Sequence, residues 1–167
     1  NEIGTYVEKS VDHELSGNVI DLCPVGALNS KPFRFRARAW EMTQVPMVSP
    51  HDGLGTNLYG HVWRGRLMRV VPRYNEAINE CWISDRDRFS YEGIYSPDRL
   101  ARPMVREESG QWRETDWQSA LEAVARGLKQ VAGERIGVLA GASGTVEEYA
   151  LPAQLAAGLG TANIDHR

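Results

Sequence analysis

Hydrophobic and polar positions follow a period of two in the first half of the chain. In residues 33–40, aromatic and small apolar side chains alternate with Arg34, Arg36 and Arg38, a pattern that predicts an extended strand with one charged face. Residues 49–56 are rich in turn formers. Residues 57–63 and 66–72 are two β-prone runs joined by Arg64–Gly65, which predicts a hairpin.

Helical spacing appears in the second half of the chain. Apolar residues recur at the spacing of one helix face over 117–131, which predicts a helix that begins with a capping box from Thr115 to Gln118 and ends at Gly133. A buried strand at 135–140, a glycine loop at 141–144 and a helix at 146–159 that contains Pro152 are expected to follow. This order predicts the opening of a βαβ unit.

Shorter elements are predicted between these two regions and before them. Residues 5–9 form a candidate strand, and the apolar run 19–22 a short helix that Ser16 or Asn18 caps and Pro24 stops. The acidic and basic pairs of 85–88 suit a solvated or salt-bridged helix start. Residues 100–112 are extended, with a turn at 109–110. The fold class expected is α+β, a small antiparallel β unit joined to the start of an α/β domain.

Composition limits the classes of function that the chain can have. It has 167 residues, 42% hydrophobic residues and a net charge of −3, so it can form a packed core and has no general attraction for nucleic acid. The apolar runs are too short to span a membrane. The first residues do not resemble a signal peptide, and both ends look cut, as in a segment of a longer chain.

Few residues suggest chemistry of their own. The four histidines have no metal-ligand spacing, no nucleophile–base pair is apparent, and the loop 141–144 lacks the dinucleotide and P-loop fingerprints. The two cysteines, Cys23 and Cys81, cannot complete a four-thiolate site, and the simplest interpretation of each is a small buried apolar side chain. We predict no catalytic residue.

Cys23 stands in a more informative context than Cys81. The segment Cys23-Pro-Val-Gly-Ala-Leu28 resembles the Cys-Pro end of a bacterial ferredoxin-type cluster-binding run. Proline fixes the turn and removes one N–H, and glycine lets the backbone fold round a sulfide.

The surrounding residues extend this resemblance to one family. Residues 15–28, 31–41, 51–57, 75–79 and 83–89 are similar to the large iron–sulfur subunit of the proton-pumping NADH:quinone oxidoreductase, respiratory complex I. The resemblance implies that Cys23 is the last of four ligands of a [4Fe–4S] cluster, with three cysteines upstream of Asn1, and that this chain alone binds no complete cluster. It also implies a division into the end of a cluster domain (1–40), a second cluster-type domain without cysteine ligands (41–98) and the start of a molybdopterin-oxidoreductase-like domain (99–167).

The second cluster site of molybdopterin oxidoreductases has the spacing Cys-x2-Cys-x3-Cys-x27-Cys in some members. In this chain the same spacing falls on Ser49, Asp52, Thr56 and Ser84, and hydroxyls and one carboxylate are poor cluster ligands. The resemblance therefore leads us to expect that this extra cluster and molybdopterin are both absent. Cys81 is expected to be a packing residue.

The function implied is an electron relay from NADH through iron–sulfur clusters to quinone. Its partners would be other subunits of complex I, including the flavin- and NADH-binding subunit, with no nucleic acid and no direct membrane insertion. The location would be the cytoplasmic face of a bacterial inner membrane, or the matrix side in mitochondria. Arg34, Arg36 and Arg38 would hold the cluster domain in place or contact a neighbouring subunit.

Two alternatives remain open at the level of sequence. One is an active molybdenum or tungsten oxidoreductase, which the missing cysteines disfavour. The other is a non-catalytic binding module that uses residues 31–40 on nucleic acid or on an acidic partner.

Overall fold

The computed structural model describes Thr5 and residues 9–166. The chain divides into two compact units, Asn1–Ser96 and Pro97–Arg167. Most of the candidate strand at 5–9 lies outside the described residues. No helix among the described residues is long and apolar enough to cross a membrane.

The first unit contains two short helices and three strands. They are α1 (Val19–Leu22), β1 (Thr43–Val48), β2 (Asn57–Trp63), β3 (Arg66–Pro72) and α2 (Asp85–Phe89). Short 3₁₀ turns at Ser16–Asn18, Ala39–Glu41 and Ser90–Tyr95 precede or follow them.

An antiparallel sheet with the order β1-β2-β3 forms the centre of this unit. The predicted hairpin is confirmed, with Asn57–Trp63 paired to Arg66–Pro72. Its turn residues Arg64 and Gly65 both have positive φ, 49° and 76°, as a two-residue turn of this handedness requires. Leu58, Val70 and Ile83 are buried beside the sheet, and Met47, Leu67 and Tyr91 pack against them.

The strand predicted at 33–40 is wrong. Residues 31–36 form consecutive turns, in which the Arg34 N–H donates to the Ser30 carbonyl at 2.8 Å and the Arg36 N–H to the Phe33 carbonyl at 3.0 Å. Phe35 has φ +65°, which an extended strand does not allow. The alternation of side chains is real, but no neighbouring strand pairs with this described segment.

The helix predicted after residue 84 is confirmed as α2, and of the two environments expected for residues 85–88 the salt-bridged one is found, with Arg86 paired to Asp52 and Arg88 to Asp21. Ser84 caps it by accepting from the Asp87 N–H. Asp87 and Arg88 are each only 4% exposed, so this end of α2 is buried and not solvated. The helix at 19–22 is confirmed as well, but neither Ser16 nor Asn18 caps it with a side chain.

The second unit combines a hairpin with a βαβ unit. Its elements are β4 (Met104–Arg106), β5 (Trp112–Glu114), α3 (Trp117–Lys129), β6 (Val138–Ala140), α4 (Val146–Gly158) and β7 (Ile164–His166). Strands β4 and β5 pair antiparallel, and β6 and β7 pair parallel across α4. The predicted βαβ unit and the α+β class are confirmed.

The helix ends in this unit differ in detail from the prediction. Asp116, rather than Thr115, caps α3 by accepting from the Ser119 N–H. Helix α3 ends at Lys129 and not at Gly133, which instead begins a 3₁₀ turn. Helix α4 has the reciprocal capping box, between Thr145 and Glu148, and contains Pro152.

Candidate functional site

Cys23 lies at the point where α1 ends and the chain turns back. Its N–H still donates to the Val19 carbonyl at 3.1 Å, while its backbone is extended, with φ −74° and ψ 106°. The following turn passes through Gly26 at φ +65°, and the Leu28 N–H points at the Cys23 Sγ at 3.4 Å. The turn predicted from proline and glycine therefore wraps round the sulfur.

Backbone N–H groups lower the pKa of this thiol. The Leu28 N–H lowers the pKa of Cys23 most, followed by the Val25 amide and, more weakly, by the amides of Ala27 and Gly26, while desolvation opposes them. Hydrogen bonds to the charged form favour ionisation. The thiolate is also the form in which cysteine binds metal ions, and N–H donors near sulfur are typical of ligand sites.

The segment before Cys23 is tied to α2 by side chains that the sequence interpretation missed. The Asp85 carboxylate accepts from the Ser16 hydroxyl and from the Gly17 N–H, each at 2.7 Å. The Asp85 N–H donates in turn to the Glu14 carbonyl at 2.8 Å. The Asp85 side chain of α2 thus holds the 3₁₀ turn that precedes α1.

Close approach makes glycine necessary at position 17. A Cβ added to Gly17 would lie 2.6 Å from the Asp85 Oδ1 and 2.8 Å from the Arg88 Cδ, far inside van der Waals contact. One turn further on, the buried Arg88 guanidinium pairs with Asp21. These contacts fix α1, and with it the beginning of the Cys23 turn, against α2.

Two of the four positions that carry the second cluster spacing bond to one buried carboxylate, that of Asp87. Asp87 accepts from the Ser49 hydroxyl at 2.5 Å and from the Ser84 hydroxyl at 2.9 Å. Thr56, which is buried, accepts from the Ser49 N–H at 2.8 Å through its carbonyl. Asp52 forms an ion pair with Arg86 at 3.0 Å.

This cluster of side chains is a hydrogen-bonded cross-link. Asp87, Asp52, Thr56 and Ser84 line one cavity of about 340 Å³, so the spacing identified positions that are neighbours in space. Within the described residues, no group of three or more His, Cys, Asp or Glu side chains is arranged to hold a metal ion. Asp87 links Ser49 to Ser84 through its carboxylate. The cysteine spacing did not predict this residue.

The expectation that Cys81 is a packing residue is wrong, because Cys81 is exposed. Cys23 is half-buried.

A second buried polar group, the His61 side chain of β2, bonds to side chains of both neighbouring strands. His61 is 3% exposed; its Nδ1 lies 2.9 Å from the Arg69 Nε, and its Nε2 lies 3.1 Å from the Gln44 side chain. Burial first, and the Arg69 charge second, lower the pKa of His61. The Arg69 Nε–H donates to Nδ1, so this nitrogen is the acceptor and carries no proton of its own.

Three protein families match successive parts of the chain. The NADH-quinone oxidoreductase subunit 3, ferredoxin-like domain, matches residues 1–29, which include Cys23. The NADH-ubiquinone oxidoreductase NDSU1/NuoG-like, 4Fe-4S domain, matches residues 42–92. The molybdopterin oxidoreductase family matches residues 99–167.

Individual relatives align with almost the whole chain. The G subunit of the NADH-quinone oxidoreductase of Rickettsia conorii is 43% identical over 162 residues, which cover 97% of this chain and 24% of that protein. The mitochondrial NADH dehydrogenase [ubiquinone] iron-sulfur protein 1 of Solanum tuberosum is 45% identical over 163 residues, 98% of this chain and 22% of that protein. The chain thus spans less than a quarter of the length of these relatives, and almost all of it is similar to NuoG-like iron–sulfur subunits of NADH-quinone oxidoreductases.

Proposed function

We propose that Cys23 is one of four thiolate ligands of a [4Fe–4S] cluster in the complete protein, and that the other three belong to a cysteine segment upstream of Asn1. The observation that carries the proposal is the Leu28 N–H directed at the Cys23 Sγ at 3.4 Å, in a turn whose backbone amides lower the pKa of the thiol. This environment fits one corner of a cluster, since a ligand sulfur is ionised and accepts N–H hydrogen bonds.

The activity proposed is a step of electron transfer from NADH to quinone. The relatives are named as the G subunit of NADH-quinone oxidoreductase and as NADH dehydrogenase [ubiquinone] iron-sulfur protein 1. A bound cluster supplies reversible one-electron transfer; the residues of this chain hold one ligand in place and tune its basicity. No side chain of this chain acts as an acid, base or nucleophile in the proposal.

The contacts between α1 and α2 support a positioning role for residues 41–98. Asp85 and Arg88 bind the segment that leads to Cys23, and Asn18 of that segment binds the Ile83 carbonyl. We assign residues 1–40 to the end of the cluster domain, 41–98 to a cluster-type domain that is cross-linked by Asp87 and has lost its metal, and 99–167 to the start of a molybdopterin-oxidoreductase-like domain without molybdopterin. On this proposal the first two parts pack as one unit.

The partners proposed are other subunits of the oxidoreductase, including the subunit that binds flavin and NADH. Neither nucleic acid nor direct membrane insertion enters the proposal. The subunit would lie at the cytoplasmic face of a bacterial inner membrane, or on the matrix side of the mitochondrial one.

A kinetic comparison in the assembled enzyme tests this role. In the complete complex that carries this sequence, Cys23→Ala should abolish most NADH:quinone activity, while NADH oxidation by a soluble artificial acceptor that takes electrons from the flavin continues. Cys81→Ala is the matched control and should leave both rates unchanged, since Cys81 is exposed and has no role in the relay. Undiminished quinone reduction by the Cys23→Ala enzyme would exclude Cys23 from the relay.

A further inference from the structure

A positively charged patch of the first unit surrounds a cavity beside the hairpin. Three guanidinium groups line it, those of Arg36, Arg64 and Arg66, together with the rings of Trp63 and Tyr95. The cavity has a volume of about 460 Å³, room for a few side chains of a peptide. In the described part of the chain, none of these three arginines forms an ion pair with an acidic side chain.

Two of the guanidiniums are already held in place. Arg66 lies over the Tyr95 ring at 4.0 Å, and Arg64 over the Trp63 ring at 4.4 Å. Tyr95 is itself fixed, because its hydroxyl accepts from the Leu67 N–H at 2.7 Å. A guanidinium that stacks by its face keeps its N–H edge free for a planar acceptor such as a carboxylate.

The third guanidinium, that of Arg36, belongs to the segment of consecutive turns at 31–36. Phe33 of that segment lies under the Arg69 guanidinium of β3 at 4.6 Å, which anchors the segment on the sheet. Phe35 is left 94% exposed with φ +65°, and Trp40 is 81% exposed. A bulky residue in the left-handed region costs energy and is retained where a neighbouring structure needs it, and exposed aromatic residues next to arginines are typical of protein interfaces.

We propose that this basic pocket binds an acidic segment of a partner protein, with side-chain carboxylates on Arg36, Arg64 and Arg66 and apolar atoms against Trp63 and Tyr95. Charge complementarity favours this occupant, since the patch is basic in a chain of net charge −3. Glu92 also lines the pocket. Its carboxylate can accept a peptide N–H, a donor that the sugar–phosphate backbone of a nucleic acid lacks. The site is separate from Cys23 and does not depend on the cluster.

Binding of two labelled polyanions to the 167-residue chain tests the proposal. Fluorescence anisotropy would compare a poly-glutamate peptide with an oligothymidylate of equal charge. The pocket variant carries Arg36→Gln, Arg64→Gln and Arg66→Gln. The control carries Arg99→Gln, Arg126→Gln and Arg135→Gln, which change the net charge equally at exposed positions of the second unit. Circular dichroism would establish that both variants are folded.

We expect the peptide to bind more tightly than the oligonucleotide. The pocket variant should weaken peptide binding by about tenfold or more, because three charge-assisted contacts are lost, and the control by no more than about twofold. An equal loss in both variants would reduce the effect to net charge and overturn the proposal. Tighter binding of the oligothymidylate, or no binding of the peptide, would overturn it as well.

Discussion

The side-chain amide of Asn18 pairs with the backbone of Ile83 as a neighbouring strand would. Asn18 Nδ2 donates to the Ile83 carbonyl at 2.8 Å, and Asn18 Oδ1 accepts from the Ile83 N–H at 3.1 Å. Asn18 is 4% and Ile83 2% exposed, so water cannot replace either bond without opening the structure. This pair connects the segment that leads to Cys23 with the core beside the sheet.

Replacing Asn18 should therefore destabilise the first unit. Asn18→Ala leaves a buried N–H and a buried carbonyl of Ile83 without partners, and we expect the free energy of unfolding to fall by about 3 kcal/mol. Asn29→Ala is the control at an exposed position with one long hydrogen bond, at 3.5 Å, and should change it by less than about 0.5 kcal/mol. Urea unfolding measures both. Equal, small losses would mean that the pair adds nothing to the docking of this segment.

The carboxylate of Asp87 should be needed for stability and not for metal binding. Asp87→Ala removes the acceptor for the Ser49 and Ser84 hydroxyls, and we expect a loss of about 3 kcal/mol. Asp87→Asn keeps one acceptor oxygen and should cost less, while Asp12→Ala at an exposed position should cost almost nothing. Thermal unfolding gives the order of the three variants. A tolerated Asp87→Ala would contradict the assignment of Asp87 as the cross-link.

His61 should make stability depend on pH in one direction. Its pKa is lowered by burial and by Arg69, so on acidification below about pH 6.5 the unfolded chain takes up this proton before the folded one does. The corresponding stability is complete above about pH 6.5 and is lost as the pH falls towards the lowered pKa of the folded state.

The variant His61→Gln provides the comparison, because its amide oxygen can still accept from Arg69 and does not titrate. Urea midpoints measured on both sides of pH 6.5 should fall more steeply with acid in the wild type than in this variant. The same slope in both proteins would show that His61 contributes no pH dependence.

The Cys23 thiol should ionise more readily than an ordinary thiol in the cluster-free chain. In a Cys81→Ser background, the rate of alkylation by iodoacetamide should rise with pH around a midpoint below the normal range, because the thiolate is the reacting form. Leu28→Pro removes the N–H donor that lowers the pKa of the thiol most, and it should raise that midpoint. Leu28→Ala keeps the N–H and should not. If Leu28→Pro and Leu28→Ala titrate alike, the Leu28 N–H does not set the pKa of Cys23.

The sequence predicts local elements well here, and contacts between distant segments poorly. The hairpin at 57–72 follows from two β-prone runs and a turn dipeptide, and the Cys23 turn from its proline and glycine; both signals are local. The burial of Asp87 depends on Ser49, 38 residues away, and the burial of Arg88 on Asp21, 67 residues away. The alternation at 33–40 predicted a strand that the structure lacks. Alternation is a local signal and does not indicate whether another strand is available to pair.

The most direct test of the account is the low-temperature EPR spectrum of the complete protein, reconstituted without oxygen and reduced, with and without Cys23. Cys23→Ala should remove or alter the signal of one [4Fe–4S] cluster and leave the other signals in place, and Cys81→Ala should leave the spectrum unchanged. A spectrum unaffected by Cys23→Ala would contradict the account, because Cys23 would then be a structural residue and the N–H groups around its sulfur would serve no cluster.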